Sequence, residues 1–238
     1  MKVAICFSGG IKYPEHGLRS LNLISPNDDI KIFIHTWDIH KKEDFLQTVH
    51  ALEYKEPERT VITDFNFLSK YNYETLLIEN YDSKQKDFEK IFKQLNFSSY
   101  SRKDIAPLSM HYSIYKSNQL KKYYELKNNM IFDRVIRIRY DSDFLGKSLN
   151  LQDLNHDINI PEGEDWCGGI NDQFAVGTSF GMDIYSNLFH EFDKFQHLDF
   201  HPEIIFRNYL ESKNIIINRF DFNVKINNGI DFRRVMFS

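Results

Sequence analysis

The sequence predicts an α/β fold, a mostly parallel central sheet flanked by helices, and three observations carry the prediction. Short apolar runs with β-branched members alternate with helix-length segments along most of the chain. Clusters of Gly, Pro, Asn and Asp bound those runs, as they do at strand ends. At 238 residues with 42% hydrophobic content the chain can bury a large core, and no internal repeat, Gly/Ser-rich linker or low-complexity tail divides it. One domain over residues 1–238 is expected.

The elements follow in order. Residues 3–7 (VAICF) form a buried first strand stopped by Ser8-Gly9-Gly10, and a helix follows around 16–23. Residues 30–35 (IKIFIH) make the second strand, entered through the turn cluster Pro26-Asn27-Asp28-Asp29; 60–62 is a weaker third, after Pro57. The Lys/Glu/Asp-rich stretch from Leu68 to about Leu95 reads as two amphipathic helices meeting near Tyr81-Asp82-Ser83, a helical insertion over about 68–99. Pro107 opens the clearest helix, 108–127, with Met110, Ile114, Leu120 and Tyr124 on its buried side and His111, Tyr115 and Lys122 projecting elsewhere. Next come a strand over 133–140 (DRVIRIRY), ending in Asp141-Ser142-Asp143, and another at 158–160, stopped by Pro161. A strand over 171–177, helices over 182–195 and 202–210, and a terminal β segment beginning at 215–217 complete the alternation.

Composition excludes several classes. The 30 Lys+Arg against 34 Asp+Glu give a net charge of −4, which argues against a dedicated nucleic-acid binder. A charged fraction of 27% excludes wholesale disorder. No uninterrupted apolar run approaches the ~18 residues of a transmembrane helix, and the N-terminal run is shorter than the ~7–15 of a signal-peptide core. Cys6 and Cys167 match no disulfide framework or zinc motif, so a reducing, cytoplasmic setting is expected. The charge runs Lys41-Lys42-Glu43-Asp44 and Lys121-Lys122 read as solvated helix faces, and His16, His40, His50, His156, His190 and His197 as surface or core histidines.

Chemistry concentrates where strands end. Arg137-Ile138-Arg139-Tyr140-Asp141-Ser142-Asp143 closes an apolar strand, where open α/β sheets bind ligands. Arg137 and Arg139 share one face, and a guanidinium fork matches phosphate oxygens. Asp141 and Asp143 are hard oxygen ligands suited to Mg²⁺ or Mn²⁺ bridging the phosphates of a nucleotide; alternatively, arginines and aspartates simply neutralise each other. Ser8-Gly9-Gly10-Ile11-Lys12 lets backbone N–H groups approach an anion with Lys12 adding charge, or is a plain strand-ending turn. In His35-Thr36-Trp37-Asp38, His35 is either functional or the partner of a buried indole. Asn171-Asp172-Gln173 offers donors and acceptors for sugar hydroxyls, and Asp172 suits deprotonation of an attacking hydroxyl; a helix N-cap is the simpler reading. In His201-Pro202-Glu203, Glu203 complements a helix dipole, or His201 completes a metal site.

The succession CFSGGIK, IFIHTWD, MHYSIYKSN, FDRVIRIRYDSDF, NDQFAVG and HPEIIFRNYLESKNI resembles bacterial and viral glycosyltransferase-like proteins linked to surface-polysaccharide and lipopolysaccharide synthesis. The match runs from Val3 to about Ile217, apart from 68–99. The resemblance implies a GT-A-like fold that binds a nucleoside diphosphate sugar, holds Mn²⁺ or Mg²⁺ at an Asp motif, and passes the sugar to a glycan or lipid-linked acceptor. It places Ser8 and Gly9 near the nucleotide, with Lys12 where such proteins often show Arg, a change that loses bidentate geometry. It also implies that Tyr112, Ser113 and Lys116 face the nucleotide, that Arg137, Arg139 and Asp141 form an R-x-R-x-D motif with Asp143 less constrained, and that Asp172 and Glu203 lie on the sugar or acceptor side. Two other chemistries fit the residues: nucleotide-sugar binding or an interaction role without transfer, and nucleotidyl transfer through paired aspartates.

Overall fold

A computed structural model of the chain describes residues 1–24, 28–42, 58–100 and 104–226. Pro26, Asn27, Glu43, Asp44, His50 and Pro57, named above, lie outside the described residues. In chain order the elements are β1 (Lys2–Ser8), α1 (Pro14–Leu21), β2 (Asp29–Trp37), β3 (Ile39–Lys42), β4 (Glu58–Val61), β5 (Thr75–Glu79), α2 (Tyr81–Gln94), α3 (Ala106–Asn128), β6 (Arg134–Ile138), β7 (Ser142–Asp143), β8 (Ile158–Pro161), β9 (Ala175–Gly177), α4 (Ser179–Ser186), α5 (Pro202–Ser212), β10 (Ile217–Phe220) and β11 (Lys225–Ile226). Among them, seven strands form the central sheet in the order β10-β8-β9-β6-β1-β2-β5. Its pairings are parallel except for those of β9, which runs antiparallel to both β6 and β8. β3 with β4, and β7 with β11, make two small antiparallel pairs outside the sheet.

Strand period two sorts the core into two layers. Ala4, Cys6, Phe33 and Val135 point to one face and pack with Leu108 and Ile114 of α3, Phe88 of α2, and residues of α4 and α5. Val3, Ile5, Phe7, Ile34 and Ile136 point to the other, where Leu18 and Leu21 of α1 pack with Tyr71 and Phe144. The same alternation continues to the strand ends. Ser8 pairs in register with His35, and Cys6 with Arg137, so Ser8, His35, Trp37 and Arg137 share the α3 side.

Three expectations are corrected. The 68–99 segment is not a pair of helices: Thr-Leu-Leu-Ile-Glu forms β5 and adds to the sheet edge beside β2, leaving one helix, α2. The flanking charges suggested a solvated helix, but the run itself is apolar and partly β-branched. The 60–62 strand is real as part of β4, but it pairs with β3 rather than joining the sheet. The expected 182–195 helix is α4, followed by two 3₁₀ turns at Asn187–His190 and Phe192–Phe195. Among the described residues no helix is long and apolar enough to cross a membrane.

Candidate functional site

The strand order reverses at β1: β2 and β5 extend to one side, and β6 takes up the other. Ligands of open α/β sheets bind at such a switch point, beyond the carboxyl ends of the strands. A crevice of about 280 Å³ opens there, floored by the loop Ser8–Lys12. On the β2 side its wall is apolar and aromatic, made by Trp37, Ile39 and Tyr81 with Pro107 and Met110 from the start of α3. On the β6 side it is charged: Arg137, Arg139, Asp172 and Glu203. β2 and β6 flank β1, so the strands behind the two walls lie about 10 Å apart, two strand spacings.

Gly9 sits at φ +107°, open to glycine and strained for any other residue. Its N–H donates to Ser113 Oγ at 2.6 Å, and Ser113 contacts His35 Nδ1 at 2.7 Å. His35 Nε2 in turn lies 2.8 Å from Glu79 Oε2, and Tyr112 donates to the other Glu79 oxygen at 3.1 Å. Burial outweighs the Glu79 charge and lowers the His35 pKa; Glu79 is also lowered, its own burial outweighed by hydrogen bonds from His35 and Tyr112. A neutral imidazole therefore gives its Nε2–H to an ionised Glu79, and its Nδ1 accepts the Ser113 proton. Ser, His and Glu in line is a pattern of nucleophilic catalysis. Here Ser113 is wholly buried and its oxygen accepts from Gly9, so the chain positions the glycine loop.

Tyr112, Ser113 and Lys116 thus do not line the crevice. Tyr112 stacks on Trp37 and lines a separate hollow with Phe88 and Phe189, and the Lys116 ammonium lies over the Tyr112 ring. The first turns of α3 face the crevice instead, through Pro107 and Met110.

Arg137 lines the crevice although it is 2% exposed. Its Nη1 donates to the Gln173 carbonyl, Nε has no partner, and no carboxylate among the described residues lies within ion-pair distance. Burial pushes its pKa down, Arg139 adds to the shift, and the more distant charges of Asp172 and Asp141 oppose it. A guanidinium stays protonated regardless, so this is a buried positive charge without a bonded counter-charge.

His111, expected to project away from the core, is buried between Phe192 and Phe206 with neither ring nitrogen bonded. Burial, with Arg137 nearby, pushes its pKa down to about 3. Between pH 6.5 and 3 the unfolded chain binds a proton that the folded chain refuses, so stability is full above 6.5 and falls as pH drops. From pH 7 to 5 this residue should cost about 2 kcal/mol. Urea midpoints of His111→Phe should show a flatter slope over that range than the parent; equal slopes would refute the assignment.

The aspartates were expected to hold a metal. Asp141, 2% exposed, accepts Arg139 Nε and Nη2 at 2.8 Å each, one per oxygen. Burial alone would raise its pKa, but Arg139, with Lys12 beyond it, holds it below the usual carboxylate range. Asp143 is tied to the α1 side: Oδ2 meets Arg19 Nη2 and His16 Nδ1 at 3.0 Å each, and Oδ1 accepts the Leu145 N–H. Burial is again overcome, here by His16, Leu145 and Arg19 together. Asp141 and Asp143 therefore serve separate cation partners and do not fit a shared divalent ion as they stand. Mutual neutralisation, the simpler reading of R-x-R-x-D, is what Arg139 and Asp141 do.

Asp172 and Glu203 reach the crevice from different elements. Asn171 holds the Asp172 turn by accepting the Gln173 N–H at 2.8 Å, while its own N–H donates to Asp165 Oδ1 at 2.9 Å; neither Asn171 nor Asp172 caps a helix. Glu203 opens α5, with Oε2 2.9 Å from His201 Nδ1. Gly169 packs so closely on Glu203 that a Cβ there would fall 2.2 Å from its carbonyl carbon, which docks the 162–170 loop against the start of α5.

Comparison with protein-family models gives no match, and comparison with curated proteins gives none either. Of the candidates read from sequence, Ser8, Gly9, Lys12, Arg137, Arg139, Asp172 and Glu203 converge on one crevice. Ile39, Tyr81, Pro107 and Met110 were missed. Tyr81 falls where two amphipathic helices were read as meeting, with nothing there suggesting chemistry, and the helical spacing put Met110 on a buried side.

Proposed function

We propose that the crevice binds a nucleoside diphosphate sugar and that the protein transfers the sugar to a hydroxyl of a glycan, as a GT-A-like glycosyltransferase. The observation that carries this reading is Arg137, a buried guanidinium with no bonded carboxylate, at the switch point of the sheet. Such a charge calls for an anion, and phosphate oxygens match its fork. The aromatic wall on the β2 side suits a nucleobase, with the glycine loop between base and phosphates. Arg137, Arg139 and Lys12 neutralise the leaving diphosphate, where charge grows in the transition state. Asp172 is the carboxylate assigned to take the acceptor proton in an inverting transfer, with Glu203 the second in the same crevice. No step is routed through a divalent ion, because Asp141 and Asp143 are committed to Arg139, Arg19 and His16. Nucleotidyl transfer, which needs paired aspartates on metal ions, is less well served by the same arrangement.

The test is a panel of nucleoside diphosphates and their sugars, read as a melting shift and as release of nucleoside diphosphate in the presence of glycans. At 100 times its dissociation constant a ligand stabilises by about 2.7 kcal/mol, a shift of roughly 5–10 °C for a chain of this size. A shift with release supports the proposal. A shift without release leaves a nucleotide-sugar-binding protein, and no shift with any member overturns the reading.

A further inference from the structure

Tyr112 and Lys116 do not reach the crevice, yet the fold brings them to a second hollow, of about 460 Å³, between α2 and α3. Its floor is aromatic. Phe88, Tyr112 and Phe189 meet pairwise edge to face, with centroids 5.4, 5.1 and 6.1 Å apart, and Ile91 adds an aliphatic surface. Phe88 is buried, while Tyr112 and Phe189 keep part of their surface open. The rim is cationic. Lys84 and Lys90 line it from α2, and Lys116 reaches the Tyr112 ring from one turn further along α3. The Lys84 and Lys116 ammoniums lie 5.6 and 5.5 Å from the centre of that ring. The negative face of the ring attracts them there without using their N–H donors as a carboxylate would. Lys84 meets the exposed Asp87 at 3.6 Å, and among the described residues Lys90 and Lys116 have no carboxylate within ion-pair distance. Glu79, whose charge acts on Lys116 through space, is already taken by His35 and Tyr112.

We propose that this hollow is a second ligand site, independent of the transfer reaction, and that its ligand is a small aromatic anion. The ring of such a molecule packs on Tyr112, Phe189 and Ile91, and its charged group takes the donors of Lys84 and Lys116. Either half alone is a poorer match. A neutral ring leaves the ammoniums without a counter-charge, and a bare anion leaves the apolar floor in water. The volume falls in the range of small-molecule sites, about 300–1,000 Å³, and an aromatic floor with a few placed charges is their usual make-up. Tyr112 also stacks on Trp37, which lines the crevice, so these two rings separate the two cavities. The test must therefore tell one cavity from the other.

Phenyl phosphate and benzoate are the probes, titrated into the full chain by calorimetry, with phenol and inorganic phosphate as the separate halves. At least one probe should bind about tenfold tighter than either half. Phenyl phosphate ahead of benzoate assigns a phosphate as the anionic group, and the reverse order a carboxylate. The double variant Lys84→Ala/Lys116→Ala should weaken that binding about tenfold or more, whereas Lys84→Arg/Lys116→Arg should retain most of it. Arg137→Met, which alters the crevice, should bind the probe as the parent does. Three results would each overturn the proposal: no binding of either probe at millimolar concentration, inorganic phosphate binding as tightly as the probes, or binding lost in Arg137→Met but kept in Lys84→Ala/Lys116→Ala. No nucleoside diphosphate enters the titration, so the second site and the transfer reaction fail separately.

Discussion

Replacing Arg137 with methionine is expected to make the protein more stable and to weaken its binding of a nucleoside diphosphate. The guanidinium is buried without a bonded carboxylate, and one of its nitrogens has no partner at all. Methionine keeps most of the volume and removes the desolvation cost of the charge, so the variant should gain about 1–3 kcal/mol, roughly 2–12 °C in melting temperature. Nucleotide affinity should move the other way. Loss of a buried cation facing phosphate costs about 2–5 kcal/mol, from thirtyfold to several thousandfold in Kd. Opposed signs in the two measurements are the mark of a residue kept for binding at the expense of stability. Arg139→Met provides the contrast. Arg139 is the bidentate partner of the buried Asp141, so its loss leaves a carboxylate stranded and should destabilise the protein by about 3–5 kcal/mol. Arg137→Met binding nucleotide as the parent does would end the assignment of the crevice.

The strand ends were legible because their chemistry is local. A β-branched run closed by Ser8-Gly9-Gly10, and another closed by R-x-R-x-D, announce both the strand and the loop after it, and the parallel sheet brings such loops to one edge. What each charged group does there was less legible. Arg139 and Asp141 at i and i+2 are compatible with metal binding and with mutual pairing, and only the fold shows the two-point bond. The buried face of α3 was read too narrowly for a related reason: Met110, Ile114, Leu120 and Tyr124 do pack on the core, but they are only part of what the helix buries. Helical spacing identifies one apolar stripe, but α3 meets the sheet along one side and α4 along another, so Ser113, Asn118 and Lys121 are buried against partners far away in sequence. Period two along β2 does place Trp37 on the side of His35, and that alternation was the signal available for the aromatic wall.

Lys121 is the plainest reversal, and it carries the largest expected loss of stability. Read in sequence as half of a solvated Lys-Lys pair, it is fully buried. Its Nζ lies 2.6 Å from Ser179 Oγ, 2.9 Å from Asp183 Oδ1 and 3.0 Å from Glu125 Oε2. Ser179 donates onward to Glu125 Oε1 at 2.7 Å, the oxygen that also accepts the Phe132 N–H. One ammonium thus joins α3, the first turn of α4 and the chain entering β6. Lys121→Met removes the charge that two carboxylates share. Asp183 keeps Asn118 and the half-exposed Lys122, but the buried Glu125 keeps only neutral donors. The expected cost is about 3 kcal/mol or more, roughly 6–12 °C in melting temperature. Lys122→Met, removing a partner at 3.1 Å whose side chain is 41% exposed, should cost no more than about 1 kcal/mol. Lys121 and Ser113 lie on the same helix two turns apart, so loosening this end of α3 also loosens the serine that holds Gly9. Nucleotide affinity should therefore weaken in Lys121→Met and hold in Lys122→Met. Equal stability of the two variants would show that the cluster does not fasten α3 to α4, and that the packing of Leu108 and Ile114 on the sheet suffices.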